Sequence, residues 1–124
     1  MAWILVPFGG AAGTALRYGL ALLGQRLWGD AWFPGGTFAA NVLGSFLLGV
    51  VFVWGEGRTI AAVDARLVLG TGVMGGFTTY SSFNLELIKL LGESPLRASA
   101  YLLGTVATCL AAGLAGVALA RLFR

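Results

Sequence analysis

The chain has 124 residues, 58% of them hydrophobic and only 10% charged, with eight basic and five acidic side chains for a net charge of +3 and a mean hydropathy of +0.88. Soluble domains carry about 25% charged residues, and a fold of this length has too little interior to hide so much apolar surface, so the composition indicates an integral membrane protein. Histidine is absent and Cys109 is the single cysteine, which excludes a His/Cys metal centre, a Ser-His-Asp triad and a disulfide framework.

A bilayer core about 30 Å thick is crossed by about 20 apolar residues in a helix. Four stretches meet that requirement, giving one four-span transmembrane domain over 1–124. The first, 3–24, is apolar apart from Arg17, and because the first sixteen residues carry no charged side chain and no basic n-region, no cleaved signal peptide is expected. Arg17 either snorkels to the surface or provides a fixed positive charge for an anion. A connector with Arg26, Asp30 and Pro34-Gly35-Gly36 leads to the uncharged second stretch, 37–54, where Asn41 and Ser45 are four apart and share a helix face. Glu56, Arg58 and Asp64 mark the next connector.

The third stretch, 67–85, contains Gly72, Gly75 and Gly76 followed by Phe77, Thr78, Thr79, Tyr80, Ser81, Ser82 and Phe83. Adjacent glycines followed by β-branched and hydroxylated residues make a poor helix. A break there would free carbonyls, which survives at membrane depth only inside protein or beside water. Freed carbonyls suit a small cation, whereas helix ends with hydroxyl or amide donors suit an anion. A continuous helix using Gly72 and Gly76 as a packing face is the other reading. Tyr80 and Phe83, three apart, present ring edges of partial positive charge to an anion, or simply pack.

After Glu93-Ser94-Pro95, the fourth stretch, 98–120, sets Tyr101, Thr105 and Cys109 on one face at successive steps of four, with Thr108 one row over. Such a row is either a polar track or hydroxyl glue between helices. Trp3, Trp28, Trp32 and Trp54 lie at span ends, where indole rings prefer the interface.

Four crossings put Arg58, Arg66, Arg121 and Arg124 on one side and Arg26, Lys89 and Arg97 on the other. That near-balance departs from the usual Lys/Arg excess on the cytoplasmic side. It signals either an ordinary topology weakly or a dual topology in which copies pair antiparallel, the two-chain form of an inverted repeat. The basic residues are scattered as interfacial anchors rather than striped, so no nucleic-acid partner is expected.

Gly9-Gly10-Ala-Ala-Gly13 with Arg17-Tyr18, then Gly36-Thr37-Phe-Ala-Ala-Asn41-Val-Leu-Gly44-Ser45-Phe46, then Gly75-Gly76-Phe-Thr78-Thr79-Tyr80-Ser81-Ser82-Phe83 is similar to the CrcB/Fluc fluoride channel family, in order and over essentially the whole chain. The resemblance implies an all-α membrane protein of four transmembrane helices, the third broken mid-membrane, assembled as an antiparallel dual-topology homodimer in the plasma or inner membrane of a prokaryote. Such a channel exports fluoride passively through two antiparallel pores at the dimer interface. It also implies a structural sodium ion (Na+) at the dimer centre, held by the carbonyls of Gly75 and Thr78. By position, Asn41 would donate its amide hydrogens to fluoride, Ser81 and Ser82 would add hydroxyls, and Tyr80 and Phe83 would be the aromatic pore residues. Tyr101, Thr105 and Cys109 would fall on the polar track, with Arg17 and Glu86 where the family has an arginine and an acid. The sequence departs from the pattern at Tyr80, where phenylalanine is usual, at Ser82, where threonine is common, and at Cys109, a weaker donor than a hydroxyl.

Fluoride is small and tightly hydrated, so a pore must replace its water with several donors without trapping it. The rival reading is a small dual-topology, proton-coupled multidrug exporter, which needs an embedded carboxylate, normally in the first span. Residues 3–24 contain none, and Glu86 lies toward the end of the third. No paired acid–base or nucleophile–base set points to an enzyme.

Overall fold

The computed structural model describes residues 1–124. Helix α1, Ala2–Trp28, extends four residues past the apolar stretch 3–24 and ends at the Gly29–Pro34 connector. Proline cannot continue a helix from the preceding side but suits its start, so Pro34 caps α2, Gly35–Trp54. The chain then turns through Gly57, whose φ of +71° a side chain would resist. It forms a two-residue hairpin, β1 Thr59–Ile60 against β2 Val63–Asp64, with Thr59 opposite Asp64 and Ile60 opposite Val63.

The third span is not one helix. A π-type segment, Arg66–Met74, leads into the single α-turn α3, Gly75–Phe77. Four glycines (Gly70, Gly72, Gly75 and Gly76) lower the preference for regular α winding, and the Gly75 N–H reaches back to the Gly70 carbonyl. The π winding was not foreseen from the sequence. Helical geometry stops at Thr78 (φ −83°, ψ 158°) and Thr79 (φ −149°, ψ 120°), then resumes as α4, Tyr80–Glu93. The interruption thus falls on the two β-branched threonines, which favour extended backbone, and not on the glycine pair, which stays helical. Helix α5, Pro95–Leu122, opens with Ser94 accepting from the Arg97 N–H at 3.4 Å and proline in its first turn.

Helix α2 lies along α5 and α1, α1 along the π segment and α3, and α4 along α5. Backbone meets backbone at these crossings. A Cβ on Gly76 would strike the Gly10 carbonyl, one on Gly13 the Val73 carbonyl, one on Gly49 the Gly113 carbonyl, and one on Gly116 the Phe46 carbonyl. Close approach through small residues is how helices associate where lipid leaves no hydrophobic drive between them.

Only 20 of 124 residues are buried, whereas Trp3 is 92% and Leu103 68% exposed; this inside-out distribution suits a lipid-facing exterior. Larger side chains are buried mainly where α4 meets α5: Phe83, Leu90, Ala98 and Tyr101 form a cluster flanked by Phe33, Phe38 and Leu87. Of the four expected spans, α2 and α5 are long and apolar enough to cross a membrane as single helices. By the same measure α1 and the third span are not, the latter because it is divided into pieces of 9, 3 and 14 residues.

Gly76→Ala forces the α1–α3 contact apart, at a cost of about 1–3 kcal/mol, whereas a Cβ on Gly19 meets nothing within 4 Å, so Gly19→Ala is neutral or gains about 0.5–1 kcal/mol of helix propensity. Thermal midpoints of the detergent-solubilised proteins separate the two. The hairpin tip places Ala61 at φ +47° and Ala62 at φ +63°, a left-handed geometry costing a non-glycine residue about 1–2 kcal/mol. Replacing the pair by Asn-Gly, the pair preferred in such two-residue turns, therefore raises the midpoint.

Candidate functional site

The interruption at Thr78–Thr79 strips helical donors and acceptors from the backbone, and three side chains replace them. From α2, Asn41 pairs with Thr79 as a neighbouring strand would: its Nδ2 donates to the Thr79 carbonyl at 3.0 Å, and its Oδ1 accepts the Thr79 N–H at 2.8 Å. From α1, the Arg17 Nε donates to the Gly76 carbonyl at 3.1 Å. Gly76 would serve the Tyr80 N–H in an unbroken helix, so Arg17 supplies both the missing donor and a positive charge at a helix C-terminus. Thr79 itself caps α4, its Oγ1 accepting from the Ser82 N–H at 3.2 Å while lying 3.2 Å from the Ser82 hydroxyl and 3.3 Å from that of Ser81. The Thr78 hydroxyl donates back to the Met74 carbonyl at 3.0 Å.

These bonds leave particular atoms available. The Thr79 N–H, which would have served the Gly75 carbonyl, is held by Asn41. The Ser82 N–H, which would have served the Thr78 carbonyl, is held by the Thr79 hydroxyl. The Gly75 and Thr78 carbonyls therefore lose their helical donors, and oxygen ligands of this kind suit a hard cation. No group of three or more His, Cys, Asp or Glu side chains gathers to hold a metal, so the fit is to backbone oxygens alone. Asn41 has one amide hydrogen committed to Thr79 and retains the second.

A second network runs through Glu86 on α4. Its Oε1 accepts from the Thr37 hydroxyl of α2 at 2.7 Å, and its Oε2 from the Tyr101 hydroxyl of α5 at 2.8 Å. One carboxylate thus ties three helices together. Beside it, aromatic rings follow one another: Tyr80 to Phe83 at 6.0 Å between centroids, Phe83 to Tyr101 at 5.1 Å, and Tyr101 to Phe33 at 5.8 Å in an edge-on arrangement.

The structure gathers Arg17, Asn41, Gly75, Thr78, Ser81 and Ser82 around the interruption, and joins Tyr80, Phe83 and Tyr101 through their rings. It distinguishes members of each group sharply. Tyr80 is 77% exposed and Phe83 is 5% exposed, packed in the chain's own core. Within the row on α5, Tyr101 and Thr105 are buried and Cys109 half-buried; the Thr105 hydroxyl is buried without any partner in the chain. Thr108, on the adjacent row, is exposed.

Thr79, Thr37 and the Gly76 carbonyl join the site although no role for them is evident in the chain's motifs. For Thr79 a signal existed, since threonine directly before an apolar run is a preferred helix N-cap. For the Thr37–Glu86–Tyr101 bridge there was none, because its members are separated by 49 and 15 residues.

The family model described as CrcB-like protein, Camphor Resistance (CrcB) matches residues 4–117. Among curated relatives, the fluoride-specific ion channel FluC of Sorangium cellulosum is 48% identical over 120 residues, covering 96% of this chain and 94% of that protein. Proteins of the same name from Anaeromyxobacter dehalogenans and Agrobacterium fabrum are 46% and 44% identical, over 95% and 94% of this chain and 94% of each relative.

Because Asn41 is the partner of both Thr79 backbone groups, Asn41→Leu leaves a half-buried donor and acceptor unmade, at about 1 kcal/mol each, the low end of the range for a fully buried group. The expected result is a lower thermal midpoint together with faster hydrogen exchange at the Thr79 amide. Asn41→Asp, which keeps the acceptor and loses the donor, should fall between leucine and wild type in amide protection.

Proposed function

The chain belongs to the CrcB family, and from that membership we propose that it is a fluoride-selective channel that lets fluoride leave the cytoplasm passively, as a multi-pass protein of a prokaryotic plasma membrane. The observation that carries this reading is the interruption of the third span at Thr78–Thr79, held open by Asn41 and Arg17 and fringed by Ser81 and Ser82. Amide and hydroxyl donors next to ring edges can replace the water of a small anion without a fixed ion pair that would trap it.

In this proposal two copies pair antiparallel, and two pores run along their interface. Each pore uses the free amide hydrogen of Asn41, the hydroxyls of Ser81 and Ser82, the rings of Tyr80 and Phe83, and the row Tyr101, Thr105 and Cys109. The unpartnered Thr105 hydroxyl supports the row's role, since a buried hydroxyl without a bond is costly unless it serves something. The exposure of Tyr80 leaves its ring and hydroxyl available to a second subunit. Arg17, with one of its five N–H groups on Gly76, positions the interruption and lends it positive potential. The carbonyls of Gly75 and Thr78 would hold a central sodium ion. One chain offers two such oxygens and a hard cation takes several more, so the equivalent pair of a second copy would complete the set. Sodium there would bind the two copies together. Glu86 has both carboxylate oxygens bonded, to Thr37 and Tyr101, a structural use that leaves the exporter reading without a free carboxylate.

The test is efflux from liposomes loaded with fluoride or chloride, with a potassium gradient and valinomycin carrying the counter-current. Fluoride should leave rapidly and chloride stay. Asn41→Leu should slow fluoride loss roughly tenfold or more, a donor lost at the pore being worth at least about 1.4 kcal/mol of barrier. Retention of fluoride, or equal loss of chloride, overturns the reading. Uptake of a cationic dye driven by a proton gradient and abolished by Glu86→Gln would replace it with the exporter.

A further inference from the structure

The end of the bundle that carries the hairpin and the last turn of α5 holds four arginines, Arg58, Arg66, Arg121 and Arg124, against two carboxylates, Glu56 and Asp64. Those carboxylates are already engaged. Asp64 accepts from the Arg66 backbone N–H at 2.7 Å, and Glu56 is bonded by Arg124 and lies 3.7 Å from the Arg66 guanidinium. Arg58 has no carboxylate partner; its guanidinium rests over the Trp54 ring, 4.6 Å from the centroid.

Between these groups lies a cavity of about 250 Å³. Its apolar wall is formed by Val50 and Val53 of α2 and by Leu119 and Phe123 at the end of α5. Its polar mouth is Arg58, Arg124 and Glu56. The position matters as much as the lining. Trp54 closes α2 where the apolar stretch ends, at the depth where indole rings sit among lipid headgroups. An anion at the mouth would meet two guanidinium groups, one of them with no carboxylate of its own, and an alkyl chain attached to it would find the aliphatic groove running down toward the bilayer. Basic recesses between transmembrane helices hold phosphate headgroups for this reason.

We propose that this recess binds an anionic phospholipid, its headgroup phosphate between Arg58 and Arg124 and an acyl chain along Val50, Val53, Leu119 and Phe123. The charge excess of the surrounding end selects a net-negative headgroup over a zwitterionic one. Glu56 opposes the phosphate and limits its affinity. The site is independent of which ion the protein conducts, and in a dual-topology assembly it would face each leaflet once.

Native mass spectrometry of the purified protein titrated with phosphatidylglycerol or phosphatidylcholine measures it, with soluble glycerol phosphate as competitor. Phosphatidylglycerol should be retained in preference, and Arg58→Gln should lower that preference roughly five-fold. Glu56→Gln should raise it, which a variant acting only by loosening the fold would not do. Arg26→Gln, at the opposite end of the bundle, should leave it unchanged. Equal retention of both lipids overturns the proposal, as does a loss in both Arg58→Gln and Glu56→Gln. Displacement of the lipid by millimolar glycerol phosphate would show a free-phosphate site and likewise overturn the assignment to a lipid.

Discussion

A polypeptide that leaves helical geometry away from bulk water must find a new partner for each backbone group it frees. In this chain that constraint converges on Thr79, whose N–H and carbonyl both turn to Asn41. The side-chain amide of α2 takes the place of a neighbouring strand, and its geometry fixes where α2 stands relative to the third span. Arg17 meets the same need at Gly76 from α1. Two helices are therefore tied to the interruption by hydrogen bonds whose loss would leave backbone groups bare. Dry apolar contacts alone could slide; these bonds set a register.

Small residues make that arrangement reachable. Arg17 can bond Gly76 because α1 approaches α3 through Gly10 and Gly13, with no side chain between the backbones. On the other side Gly44 lies beneath the Thr78 methyl and the Phe77 ring, so α2 can carry Asn41 up to Thr79. Glu86 does equivalent work on the α4 side, bridging Thr37 and Tyr101 beside the aromatic cluster that holds α4 to α5. The interruption is thus fastened from α1, α2 and α5 while the groups it exposes remain available. The result is a fixed backbone that keeps spare polar atoms where α1 and α2 meet the third span.

The two ends of the bundle differ more than their near-equal charge counts suggest. At the hairpin end, the hydrogen bond and the charge of Arg124 hold the Glu56 carboxyl below the usual carboxylate range against an opposing desolvation, with a lesser contribution from the charge of Arg66. Arg66 also lies over the Phe52 ring at 4.6 Å. The arginines here pair with aromatic faces and with a single acid. At the other end Arg97 lies over Trp32 at 5.6 Å. A cation stacked on a ring face is held by the ring's quadrupole while its head stays toward water.

Composition alone indicated a membrane protein, and three of the apolar stretches gave helix positions to within four residues, because bilayer thickness sets the length of a span and Pro, Gly and charge its ends; the third, read as 67–85, continues helically to Glu93. The row Tyr101, Thr105, Cys109 and the pair Asn41, Ser45 were legible for a similar reason: helical spacing decides which residues share a face. Glycine and threonine in the third span announced a weak helix there, but local propensity could not choose between a packing face and an interruption. That choice depended on whether another helix offered replacement partners, and only folding brings Asn41, 38 residues away, to Thr79 and Arg17, 59 residues away, to Gly76. The same holds for Glu86, whose position in the sequence was plain but whose partners Thr37 and Tyr101, 49 and 15 residues away, make it a three-helix tie only in the fold. Sequence determined the solvent, the spans and the shared faces, which are properties of nearest neighbours along the chain; tertiary structure decided which backbone groups are free, since hydrogen-bond satisfaction belongs to all the helices together.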